Sequence, residues 1–123
     1  MSTYDLILPE QYSNKDDLET IKKFFDLDLE PIKLKMIKAA EEKGEEPRTL
    51  SELDVIEIYY KLFLLKKYLE PAKRIAPSFS IDAMWHTHIL DTCKYAEDCE
   101  YLFGKFIHHN PYFGMGETES ANE

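Results

Sequence analysis

Residues 49–69 read TLSELDVIEIYYKLFLLKKYL, and this stretch decides the fold. It opens with Thr49-Leu50-Ser51-Glu52. That is the pattern of a capping box, in which a threonine hydroxyl and a glutamate three residues later satisfy backbone N–H groups at a helix start. From there to Leu69 neither proline nor glycine interrupts the chain. Leu53, Val55, Ile56, Tyr59, Tyr60, Leu62, Phe63, Leu64 and Leu65 place apolar side chains over most of the helix circumference. Only Asp54, Glu57 and Lys61 form a clean polar stripe, with Glu57 and Lys61 in the favourable i,i+4 order. A helix apolar on most sides is expected at the centre of a bundle.

Helical signals continue on both sides. Upstream, residues 1–12 read as a short extended entry. Ser13 is a plausible N-cap, followed by Asp16 and Asp17 in the first turn and by Leu18, Ile21 and Phe25 at helical spacing. Pro31 suits the first turn of a second helix, with Ile32, Met36 and Ala40 as its stripe and Leu34 and Ile37 widening the apolar face. Gly44 can end that helix in the left-handed conformation. Downstream, Pro71 and Pro77 bracket a connector, and Ser78 or Ser80 caps a helix carrying Trp85, His86 and His88. Asp91 or Thr92 caps a further helix to about Phe106, with Tyr95, Cys99, Leu102, Phe103 and Phe106 inward. Asn110-Pro111 marks a turn. Strand signals are weak throughout, so the expected fold is an all-α bundle of about five helices. Residues 1–114 would form one domain and 115–123 a flexible acidic tail.

Composition narrows the function classes. The 123 residues are 44% hydrophobic, enough for one core without disulfides or metal staples. The net charge of −9 opposes broad binding to nucleic acid and to anionic membranes. Basic spots at Lys33, Lys35 and Lys38, and at Lys66 and Lys67, are expected to be solvated helix faces. No apolar run reaches the roughly 18 residues of a membrane span, and the first residues lack the features of a signal peptide. A cytoplasmic, reducing setting is the expectation, with Cys93 and Cys99 as thiols.

The chemistry-bearing residues are concentrated. Trp85 is the only tryptophan, and all four histidines fall at His86, His88, His108 and His109, with both cysteines between the pairs. On a helix, two residues at about 100° each separate His86 from His88 by about 200°, so they do not form a simple chelating pair. Asp82, His86 and Cys93 fall near one stripe; Trp85, His88 and Thr92 fall near another. Asp82, four residues before His86, can accept an imidazole N–H and fix its tautomer, as carboxylates do for metal-bound or catalytic histidines. Trp85 reads more simply as a core anchor, His88 as a structural histidine and Cys99 as a small buried hydrophobe. His108 and His109 can cap a helix end or join a site. His86, His108, His109 and Cys93 would together make a soft donor set suited to zinc or another transition metal.

These residues also carry a resemblance. Ala76-Pro77-Ser78, Ile81-Asp82, Trp85-His86-Thr87-His88-Ile89-Leu90-Asp91-Thr92, Tyr95, Asp98-Cys99, Phe103-Gly104 and His108-His109-Asn110-Pro111-Tyr112-Phe113-Gly114 resemble the glycine-rich-domain-containing-protein-like family. That family is defined by its motif rather than by a reaction. The resemblance implies that Asp82, Trp85, His86, His88, Asp91, Tyr95, Cys99, His108 and His109 are the residues to test for a site. Plant members carry a glycine-rich tail linked with RNA. This chain has four glycines and no such tail, so that association does not transfer.

Three functions are then expected to compete. One is a histidine-centred site for a transition metal or a small ligand, contacted by His86 and His108. Another is a protein-interaction or regulatory module in which the His/Trp motif is structural. The third is a metal- or histidine-assisted hydrolase, although no nucleophile elbow, phosphate loop or HExxH motif is present.

Overall fold

The computed structural model describes residues 15–109. Five helices follow one another: α1 (Lys15–Phe25), α2 (Glu30–Glu42), α3 (Leu50–Leu69), α4 (Phe79–Leu90) and α5 (Thr92–Phe103). This is the all-α bundle the periodicity predicts. The extended entry, the Ser13 cap, the Asn110-Pro111 turn and the acidic tail lie outside the described residues.

Local chemistry sets most helix ends. At α3 the Glu52 N–H donates to Thr49 Oγ1 (3.1 Å) and the Thr49 N–H donates to the Glu52 carboxylate (2.9 Å), completing the capping box. The backbone N–H of Thr49 holds the Glu52 carboxyl below its ordinary pKa. Ser78, not Ser80, starts α4, its Oγ accepting from the Ile81 N–H at 3.2 Å. Gly44, with φ of +73°, follows the end of α2. The end of α5 corrects the sequence expectation. Gly104 adopts the same left-handed φ and stops the helix at Phe103, so Phe106 lies beyond it.

α3 packs on α1 and α4, and α4 also packs on α2 and α5. Ile21, Phe24, Ile32, Leu53, Tyr60 and Met84 are fully buried at these junctions. Among the described residues no helix is long and apolar enough to cross a membrane.

The central helix is oriented unexpectedly. Two residues of its polar stripe, Glu57 and Lys61, turn inward, while Asp54 stays exposed. Lys61 is 6% exposed, pairs with Glu57 at 2.7 Å and donates to the Phe25 carbonyl at 2.8 Å. Lys33 of α2, expected on a solvated face, is instead 5% exposed. Glu30 pairs with its ammonium from one side, and Asp54 and Glu57 each lie 2.7 Å away. Burial of a lysine is tolerated when the charge is paired. Conversely, Val55, Ile58 and Tyr59 are each more than half exposed on the outer face of α3, and Leu34 points outward from α2 rather than widening its apolar face.

Candidate functional site

Only Asp91 separates α4 from α5, and it serves as the last cap of one and the first of the other. The helices fold back on each other, so residues ten apart meet across the corner. The Trp85 Nε1–H donates to the Tyr95 hydroxyl at 3.0 Å. The His88 Nε2 lies 2.7 Å from Asp98 Oδ2. Asp91 itself is held by Lys35 at 2.9 Å, and that hydrogen bond keeps its carboxyl below the ordinary range.

His88 sits at the centre of a buried polar chain. Its ring is 1% exposed, and its Nδ1 lies 2.7 Å from the hydroxyl of Tyr60. Burial holds the Tyr60 phenol well above its usual pKa, so the hydroxyl keeps its proton. A carboxylate can only accept, so Nε2–H donates to Asp98, while Nδ1 and the Tyr60 hydroxyl share the second hydrogen bond. Lys94 closes the chain at 3.1 Å from the same Asp98 oxygen. A histidine poised between a hydroxyl and a carboxylate has the form of an acid–base relay. Tyr60 is fully buried, however, so its hydroxyl cannot reach a substrate. The chain ties α3, α4 and α5 together.

Beyond Gly104 the backbone returns to the same corner. The Tyr95 hydroxyl donates to the Ile107 carbonyl at 2.5 Å, and its ring meets Phe106 edge-on. Burial raises the Tyr95 phenol above its usual pKa, against an opposing effect of the Trp85 hydrogen bond. Burial likewise pushes up the Cys99 thiol beside it. His109 then stacks on Trp85, with ring centres 4.2 Å apart, and its Nε2 donates to Asp82 at 2.5 Å.

The motif residues therefore separate into groups. Trp85, His88, Tyr95 and Cys99 are buried. Asp82 and His109 pair at the edge; Asp82 thus engages His109, twenty-seven residues away, rather than its helical neighbour His86. His86 and Cys93 are exposed. His108 is exposed and meets Phe106 edge-on at 4.8 Å.

His108 also borders a cleft of about 580 Å³ between the end of α3 and the segment after α5. The rings of Tyr68, Phe103 and Phe106 form its walls. Tyr68 and Phe103 are braced from behind by Phe24. Lys67, Lys73 and Lys105 supply the other polar groups, and among the described residues no Asp or Glu lines the cleft. The Lys67 ammonium lies 5.6 Å above the Phe63 ring and 5.4 Å above the Trp85 ring, and burial lowers its pKa.

A different group could hold a hard metal ion. Among the described residues, Glu30, Asp54 and Glu57 offer carboxylate oxygens all within 4.8 Å of one another. Oxygen-only donors suit calcium or magnesium rather than zinc. The Lys33 ammonium already lies among these three carboxylates. His86, Cys93, His108 and His109 do not form part of that group.

Sequence reasoning gave no site role to Tyr60 or Asp98, and it expected Lys67 on a solvated face. Asp98 had a readable signal: with one residue between helices, positions ten apart face each other, as Trp85–Tyr95 and His88–Asp98 do. Tyr60 had none, because only the packing of α3 on α4 brings it to His88.

The chain belongs to the UCP032817-like family, whose model matches residues 19–123. That span contains α2 to α5 and every residue of the corner just described. Among curated proteins and solved structures, none matches the chain.

Proposed function

We propose that this domain binds a small ligand in the cleft bordered by His108, with the buried half of the Trp-His-Thr-His segment as the scaffold that holds the cleft in shape. The observation that carries this reading is the cleft itself. Its volume of about 580 Å³ falls within the range of small-molecule sites, and the Tyr95–Ile107 hydrogen bond fixes the segment that bears His108. His88 has both nitrogens engaged and supports the reading as a structural tie, while His108 supports it as a contact. A fragment screen read by amide chemical shifts tests the proposal. Hits should cluster on Tyr68, Phe106 and His108, and His108→Ala should weaken them without a change in Tm. Hits elsewhere, or unchanged binding by His108→Ala, would rule the cleft out.

One contact supports a second reading, in which a transition metal such as zinc is the ligand. The Asp82–His109 hydrogen bond has the form that orients metal-bound histidines, and it directs any metal to Nδ1 of His109. His108, Cys93 and His86, the other expected donors, do not gather with it into a donor group, so in this form His109 binds the metal with water completing the coordination. Elemental analysis of untagged protein decides it. Close to one equivalent of metal, reduced by His109→Ala, supports this form; less than about a tenth of an equivalent removes it.

A further inference from the structure

From the chemistry of the cleft walls we infer that the ligand is a planar aromatic group carrying a phosphate, an inference that rests on the small-ligand reading above. The charge pattern is the first reason. The whole chain carries −9, yet this cleft gathers three lysines and a histidine with no carboxylate among its lining residues. Lys73 has a distant partner in Glu70 at 3.8 Å, outside the lining. A second cleft, of about 610 Å³ between α2 and α4, behaves differently: Lys43 and Arg48 there are matched by Glu45 and Glu46. Its charges balance among the described residues, whereas those around Lys67 do not.

The number of cations is the second reason. A phosphate monoester carries nearly two negative charges on three terminal oxygens, which several lysine point charges can share, whereas a carboxylate offers one charge on two oxygens. Three lysines stand among the described lining residues of the cleft. The walls are the third reason. Tyr68 and Phe106 offer ring faces and edges to a flat group, and the Phe24–Tyr68–Phe103 cluster keeps the first wall in place. Lys67, already seated over Phe63 and Trp85, is held at the inner end, where a phosphate would meet a cation of reduced hydration.

The test uses the full chain and four probes: phenyl phosphate, inorganic phosphate, phenol and benzoate. Affinities come from calorimetry and the location from amide shifts. Phenyl phosphate should bind at the cleft at least about tenfold more tightly than each of the others. Raising NaCl from about 50 to about 300 mM should weaken it. Lys67→Gln and Lys105→Gln should each weaken it by about fivefold or more, while Lys38→Gln, on exposed α2 surface, should not. The exposed Lys105 serves as the variant least able to disturb the fold. Equal binding of phenol or benzoate at the same residues would overturn the phosphate class and leave the cleft standing. No shift at cleft residues with any probe at about 10 mM would overturn the cleft itself.

Discussion

Lys33 and Lys67 are both lysines drawn out of water, and they end in opposite states. Around Lys33, burial favours loss of the proton, but hydrogen bonds from the ammonium to Asp54, Glu30 and Glu57 outweigh it and hold the pKa above that of a free lysine. Around Lys67, burial acts with no carboxylate contributing, and the pKa falls. Its neighbours are the faces of Phe63 and Trp85. One cation is internally neutralised and holds α2 to α3. The other has no carboxylate partner among the described residues. The difference separates a cation neutralised within the fold from one that the proposed ligand would neutralise.

Substitution at Lys33 should have the largest effect on this contrast. Lys33→Met removes the charge that three carboxylates share, and denaturant unfolding should show a loss of about 3 kcal/mol, at the low end for a broken buried pair because Glu30 and Asp54 reach solvent. An unchanged midpoint would mean that Lys33 contributes no net stability. A smaller effect is expected from Lys33→Ala with calcium. The emptied group of Glu30, Asp54 and Glu57 then offers only oxygen ligands, and calcium at about ten times its Kd should restore about 1.4 kcal/mol. The parent should show no calcium-dependent shift in Tm; if it does, Lys33 is not the resident cation.

Alkaline pH provides a milder perturbation. The folded pKa of Cys99 is raised above its unfolded value of 9.0, so its contribution is complete below pH 9 and declines as pH rises toward the folded pKa. Tyr95 and Tyr60 add declines of the same sign above their unfolded value of 10.0. Denaturant midpoints at pH 8 and pH 10 should therefore differ, and Cys99→Ala should reduce the difference. The smallest effect falls on Lys67. Its lowered pKa means that the charged form opposes folding at neutral pH, partly offset by about 1 kcal/mol of cation–π attraction. Lys67→Met should leave stability between unchanged and about 1 kcal/mol higher, while abolishing the tight binding of phenyl phosphate. A clear destabilisation would place Lys67 with Lys33, as a fold residue.

Much of the scaffold was legible because its signals are local. The Thr49–Glu52 box, Pro31 and Gly44 act within one turn of chain and need no knowledge of neighbours. Gly104 is equally local, but Phe106 falls where it would extend the apolar stripe of α5 and so masks the stop. The pairing of Asp82 was not legible. Spacing identifies His86 as its helical neighbour, whereas the actual partner arrives on a returning segment. The polar stripe of α3 is visible in the sequence, but not that Glu57 and Lys61 turn inward. A helix with apolar residues nearly all round gives no periodic sign of which face is covered, and the partner cation Lys33 lies on another helix. The cleft was least visible, since Lys67, Lys73 and Lys105 are spread over thirty-eight positions and are united only by packing.

The outward row of Val55, Ile58 and Tyr59 on α3 has a bearing on how the molecule behaves in bulk solution. With −9 on each copy, mutual repulsion keeps these rows apart in dilute buffer. Added salt shortens the reach of that repulsion to about 8 Å at physiological strength but leaves the attraction between apolar surfaces intact. Second virial coefficients should therefore turn from positive toward negative as sodium chloride rises, and Ile58→Glu should delay the turn. For this chain, low salt rather than saline is the medium that keeps it dispersed.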